Sequence, residues 1–187
     1  MAPSPIRADA ARNRQLVLEA AARLFAGADS EPSVRAIARE AGVGVGTLYR
    51  HFPTRESLVD AVYRDQVERL TAGARELLAT HPPAEALRRW MDLFADWVAT
   101  KRGMLQTLLT MIDAGSIPHA ATHDTLIATI ATILEAGIAA GEIRPDASAD
   151  DVAASLLGIL TVAGASDQKA QAGRLLDLLT DGLRPRT

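Results

Sequence analysis

Apolar residues in this 187-residue chain recur at three- and four-residue intervals along nearly its whole length, and no segment alternates apolar and polar with period two. A 3.6-residue period belongs to one face of a helix and a two-residue period to a half-buried strand, so the pattern points to an all-α fold. Val17, Ala20, Ala21 and Leu24 mark a first amphipathic helix ending near Gly27. Val34, Ile37, Ala38 and Ala41 mark a short second helix, with Ser33 as its N-cap and Gly42 just beyond its end. A third runs from about Val45 to His51, because Pro53 cannot continue it. Thr54 caps a long fourth helix that lasts until His81-Pro82-Pro83. Further helices are expected over 84–100, 103–113, 119–140, 149–164 and 168–183, the fourth of these introduced by a capping-box pattern at Ser148 and Asp151. Residues 1–11, with Pro3 and Pro5, are expected to form a flexible arm.

Composition narrows the function. The chain has no cysteine, which removes disulfides, thiolate metal sites and cysteine nucleophiles together. The opening "MAPSPIRADAARNR" lacks the apolar stretch of a secretory signal, and the longest apolar run, Val152–Ala165, is too short to span a bilayer. A cytoplasmic protein is expected. The formal net charge is −3, yet from Ser33 to Arg55 four arginines (Arg35, Arg39, Arg50, Arg55) stand against Glu40 alone. From Ala61 onward acidic residues outnumber basic ones, 16 to 12. This asymmetry fits one region built to meet a polyanion.

The stretch Ala41–Phe52, "AGVGVGTLYRHF", decides what that region is. A dinucleotide-binding loop needs G-x-G-x-x-G directly after a strand. Counting from Gly42, the last glycine should stand where Thr47 is; counting from Gly44, where Tyr49 is. Both frames fail, and the preceding "VRAIAREA" is helical. Two short helices joined by a Gly-containing turn instead make a helix-turn-helix, whose second helix enters the DNA major groove. Leu48 and Phe52, four apart, anchor that helix on the core and leave Val45, Gly46, Thr47, Tyr49, Arg50 and His51 turned outward in varying degree. Gly44 and Gly46 let backbone approach the groove, and Arg35 can reach a guanine edge bidentately.

The segment "SVRAIAREAGVGVGTLYRHFPTRESLVDAV", with "AARLFA" before it, resembles the DNA-binding region of the tetracycline-repressor (TetR) family over about Arg12–Val62. The resemblance implies an N-terminal three-helix helix-turn-helix domain (12–60) and a C-terminal helical domain (61–187) for effector binding and dimerisation. It implies a homodimeric repressor that leaves a palindromic operator when a small molecule binds. Matched residue by residue, Ser33 and Arg35 meet phosphate and base, and Val45, Gly46 and Thr47 face base edges or their flanking sugars. Tyr49 and His51 hold phosphates and Arg55 clamps the backbone from the start of the fourth helix, while Gly44, Arg50 and Thr54 complete the expected DNA-facing set. Ser33 stands where threonine is usual, Gly44 where serine is frequent, and Arg55 where lysine is commoner, so base specificity does not transfer.

In the C-terminal region Trp90, Phe94 and Trp97 share one helix face, as do Met104, Leu108 and Met111 on the next helix. Such stripes form a core or line an apolar cavity, and the second reading makes these six the expected contacts of an apolar or aromatic effector. "VAASLLGILTVAGA" is apolar nearly all round, so Val152, Leu156, Ile159 and Leu160, with Leu175, Leu176 and Leu179, are expected at a dimer interface built as a four-helix bundle. His119 and His123 have a zinc-chelating spacing, but no second ligand cluster is evident; neither a metal nor a cofactor is expected. An enzyme is disfavoured: no G-x-S-x-G occurs and the four histidines have no evident nucleophile partner. A helix-turn-helix activator or DNA-binding protein without an effector remains the alternative.

Overall fold

The computed structural model describes residues 5–27, 30–116, 119–162 and 169–185, with side chains from residue 9 and, after the second gap, from residue 121. Nine helices and no strand occur among them: α1 (Pro5–Ala26), α2 (Val34–Glu40), α3 (Val45–His51), α4 (Arg55–Thr80), α5 (Pro83–Gly103), α6 (Leu105–Asp113), α7 (His119–Ala139), α8 (Ala149–Val162) and α9 (Lys169–Gly182). The all-α expectation holds, and most boundaries fall within a residue or two of the periodicity. The exception is the N-terminus. Helix α1 begins at Pro5, inside the arm expected over 1–11, because proline is well tolerated in a helix's first turn and "IRADAARNR" has no breaker.

The chain divides into two compact units. The first comprises residues 1–66 and 99–118, the second 67–98 and 119–187. A single division near residue 60 was expected; instead the end of α5 and all of α6 return to the N-terminal unit. Two features of that unit account for it. Met104, the N-cap of α6, and Leu108 and Met111 within it are buried. Gly103 also lies so close to the end of α1 that a Cβ there would sit 1.9 Å from the Phe25 carbonyl oxygen. Only a residue without a side chain permits this approach of one helix end to another. The rest of the first core comes from Val17, Leu18, Ala21 and Phe25 of α1, Ile37 of α2, Leu48 of α3, Phe52 after it, and Leu58, Val59 and Val62 of α4.

The second unit packs the remainder of α4 and α5 with α7–α9. Trp90 is fully buried and its indole N–H donates to the Leu70 carbonyl at 2.9 Å, so its polar atom is satisfied inside the core. Arg88 of α5 joins Asp92, one turn on, to Asp177 of α9 at 2.7 and 2.6 Å. Glu142, just after α7, accepts the Ala84 amide at 3.0 Å, capping the first turn of α5 from a distant part of the chain. Ser148 caps α8 through the Asp151 amide, as its sequence pattern predicts.

The expected dimer set needs correction here. Val152, Leu156 and Leu160 of α8 and Leu176 of α9 are buried by their own chain, and Ile159, Leu175 and Leu179 are half-buried. Helix α8 carries two apolar stripes, and periodicity cannot say which one faces inward. The i, i+4, i+8 stripe of Val152, Leu156 and Leu160 does. The opposite stripe of Ala154, Leu157, Gly158, Thr161 and Val162 is exposed, as is Leu178 of α9.

Gly103→Ala is expected to lower stability by about 1–3 kcal/mol, since the new methyl meets backbone that cannot rotate away. A thermal melt of this variant beside wild type checks it; an unchanged midpoint contradicts the close approach.

Candidate nucleic-acid interface

Helices α2 and α3 are each seven residues long and joined by Ala41–Gly44. The turn is a Schellman motif: the Gly42 amide donates to Arg39 O at 3.1 Å and the Val43 amide to Ala38 O at 3.0 Å. Gly42 takes φ +68°, a conformation that strains any residue with a Cβ. Gly44 is the N-cap of α3 and offers no side chain to it. Leu48 and Phe52 point into the core, and the opposite surface of α3 is left open.

On that surface Tyr49 is 47% exposed, Gly44, Gly46 and Arg50 are exposed, and Val45, Thr47 and His51 are half-exposed. No side chain expected to face DNA is buried. Arg50 folds back along its helix, its Nη2 donating to Thr47 Oγ1 at 3.0 Å. The Thr47 hydroxyl, holding that donor with a lone pair, keeps its own proton to donate. Arg35 and Arg39 of α2 are exposed, with no ion-pair partner among the described residues.

Ser33 and Thr54 stand at the two ends of the helix pair and both act as helix caps. Ser33 Oγ accepts the Ala36 amide at 3.2 Å. Thr54 and Ser57 cap reciprocally, each amide donating to the other's hydroxyl at 3.1 Å. A capping hydroxyl still has its proton to donate, so either can hold a phosphate oxygen as well.

Arg55, expected as a backbone clamp, is part-buried and bonded within the protein. Its Nη2 and Nε bind Glu31 Oε2 at 2.6 and 2.9 Å, and its Nη1 donates to the Pro32 carbonyl at 3.0 Å. Every guanidinium nitrogen is thus engaged within the protein, and the charge counted toward the basic region is offset by Glu31, which lies just outside the Ser33–Arg55 window. Burial alone would raise the Glu31 carboxyl. The Thr107 amide and hydroxyl, together with Arg55, outweigh burial and hold it below the ordinary value of 4.5.

The structure also adds Arg14, which sequence reasoning passed over. Its guanidinium lies 5.5 Å from the centroid of the Phe52 ring, at the end of α3, and is exposed. Held over the ring face, the guanidinium keeps its edge donors open to solvent near the end of α3. In "ARNRQLV" Arg14 precedes Val17 by one helical turn, but no local pattern names Phe52 as its partner.

The residues expected at an effector site fall into both units. Trp90, Phe94 and Trp97 form a ladder in the second, with successive ring centroids 5.5 and 5.3 Å apart. Met104, Leu108 and Met111 are core residues of the first. All six are buried. His123 is exposed beside Asp124, the side chain of His119 lies outside the described ones, and no group of three or more His, Asp or Glu forms a metal site among the described residues.

A reading helix held by an all-helical body defines a transcription regulator, and comparison with known proteins gives the family. Residues 17–62 match the model of bacterial regulatory proteins of the tetR family. Residues 82–185 match the SbtR-like transcriptional regulator C-terminal domain. The chain belongs to the TetR family of transcriptional regulators. It is similar to the TetR regulator SCO0520 of Streptomyces coelicolor, with 45% identity and a TM-score of 0.85, covering 93% of this chain and 99% of that one. It is similar to a TetR regulator of Mycobacterium vanbaalenii, with 36% identity and a TM-score of 0.76, covering 97% and 100%. The HTH-type transcriptional repressor KstR2 of Mycolicibacterium smegmatis is 30% identical over 159 residues, 80% of this chain and 76% of the relative.

Two outcomes are expected at this site. Arg14→Ala weakens binding to every duplex and lowers the slope of log affinity against log salt by about one, the signature of a lost phosphate contact. Titrations at several salt concentrations measure it. Because the Glu31 carboxyl is held low, it stabilises the fold above the usual carboxylate range and that contribution disappears as pH falls below about 4.5. Melting curves from pH 7 to pH 3.5 should therefore fall less steeply for Glu31→Gln than for wild type.

Proposed function

We propose that this regulator is a cytoplasmic homodimeric repressor that binds a palindromic operator and is released by a small apolar or aromatic effector. The observation that carries the DNA-reading part is the open face of α3, where Thr47, Tyr49 and Arg50 sit beside the free arginines of α2 and Arg14. Arg35 reads a base edge, Val45, Gly46 and Thr47 meet edges or sugars, and Ser33, Tyr49, His51, Thr54 and Arg14 hold the backbone. A single seven-residue helix reads too few base pairs for an operator. Two, spaced by one turn of DNA at about 34–36 Å, read a palindrome. The repressor assignment is supported by the repressor named among its relatives.

The dimer is supported by the exposed apolar stripe of α8 with Leu178 of α9, which displaces the set read from sequence. Small Ala154 and Gly158 allow a second copy of α8 to approach closely. The effector reading rests on the aromatic ladder of Trp90, Phe94 and Trp97. A second reading, a DNA-binding regulator with no effector, is favoured by one observation: the Trp90 indole already has its partner in Leu70.

Three measurements separate these readings. In vitro selection of duplexes on the purified protein should enrich a palindrome; enrichment of single, unpaired sites removes the dimeric operator. Leu157→Glu, on a side chain 48% exposed, should leave the fold intact and give a monomer in sedimentation, with operator affinity reduced by a hundredfold or more as the two readers separate. Both tryptophans of the chain lie in the ladder, so fluorescence reports on that locus alone. Hydrophobic candidates that release DNA should shift it, and release without any shift moves the effector elsewhere.

A further inference from the structure

Helix α6 starts without a cap of its own. Its N-cap residue is Met104, at φ −115° and ψ 17°, with no side-chain bond to the helix. The missing acceptor comes from the loop between α1 and α2: Glu31 Oε1 takes the Thr107 amide at 2.9 Å. A carboxylate at a helix N-terminus satisfies an orphan amide and meets the positive end of the helix dipole. The second oxygen of the same carboxylate accepts the Thr107 hydroxyl at 2.8 Å and Arg55 at 2.6 Å. Arg55 is the first residue of α4 and also holds the carbonyl of Pro32, the residue before the α2 cap Ser33.

One carboxylate thus joins the chain's entry into the helix-turn-helix, its exit, and the first turn of α6. We infer that Glu31 and Thr107 are positioning residues for DNA reading: through Arg55 they clamp both ends of the α2–α3 pair to α6. The alignment of the reader then depends on where the first turn of α6 sits. This deepens the DNA-reading role of α2 and α3 and rests on it.

The test uses full-length wild type, Thr107→Val, Glu31→Gln and Arg55→Gln against the duplex enriched by wild type and a scrambled duplex of equal length. A positioning role predicts roughly tenfold weaker binding of the enriched duplex by each variant, within the range usual for coupled sites. Binding of the scrambled duplex and the salt slope stay at wild-type values, because no phosphate contact is lost. Equal weakening on both duplexes, with a slope lower by about one for Arg55→Gln, makes Arg55 a phosphate clamp and overturns the inference. Hydrogen exchange on Thr107→Val supplies an arm that needs no DNA. Amides of α2 and α3 should exchange several-fold faster although the substitution lies on α6, while acceleration confined to α6 overturns the inference. Failure to enrich any duplex counts against the proposed operator binding, and the exchange result still decides the clamp.

Discussion

Neither helix of the reading pair can exist alone. A seven-residue helix forms too few hydrogen bonds to offset the ordering of its first turn, and isolated helices below about 12–15 residues are marginal in water. The shape presented to DNA is therefore set by what the pair rests on. Ile37, Leu48 and Phe52 bury their side chains in the core of the first unit, each contributing about 1.5–3 kcal/mol. The Schellman turn at Gly42 fixes the angle between the two helices. The exposed residues contribute little to this; they are free to be chosen for DNA because the buried ones hold the shape.

The same unit uses its charges in two ways. Arg35, Arg39 and Arg14 lie open to solvent, where a polyanion can reach them. Arg55 is 29% exposed in its side chain and is matched by Glu31 and a carbonyl. A partly buried charge left without its partner is costly, so such a pair persists as a unit and acts structurally. The exposed Arg23–Glu40 pair, at 3.4 Å, adds little by comparison. Trans-capping recurs in the second unit, where Glu142 serves α5 as Glu31 serves α6. In both cases a helix start receives its acceptor from a residue more than fifty positions away, and the cap becomes a tertiary contact.

Much of this was readable from residues. Ser33, Gly42, Thr54 and Ser148 act as helix punctuation because capping is local chemistry, decided within three or four positions. The outward face of α3 follows from Leu48 and Phe52 once the helix is known. What could not be read was long-range. Nothing near Arg55 says that Glu31 will fold onto it, Gly103 looks like a helix start until Phe25 lies against it, and nothing in "ARNRQLV" says that Arg14 will lie over Phe52. Periodicity identified the apolar surface of α8 but assigned the wrong stripe to a partner.

Sequence by itself determined that the chain is helical, where most helices begin and end, and which short segment forms the helix-turn-helix, since all three depend on residues within a turn or two of one another. The tertiary structure alone decided that α6 belongs to the reader's unit, that Arg55 faces a carboxylate instead of solvent, and which side of α8 stays open. These depend on residues far apart in the chain, as Arg55 and Glu31 are by 24 positions and Thr107 and Glu31 by 76, where no local pattern reaches.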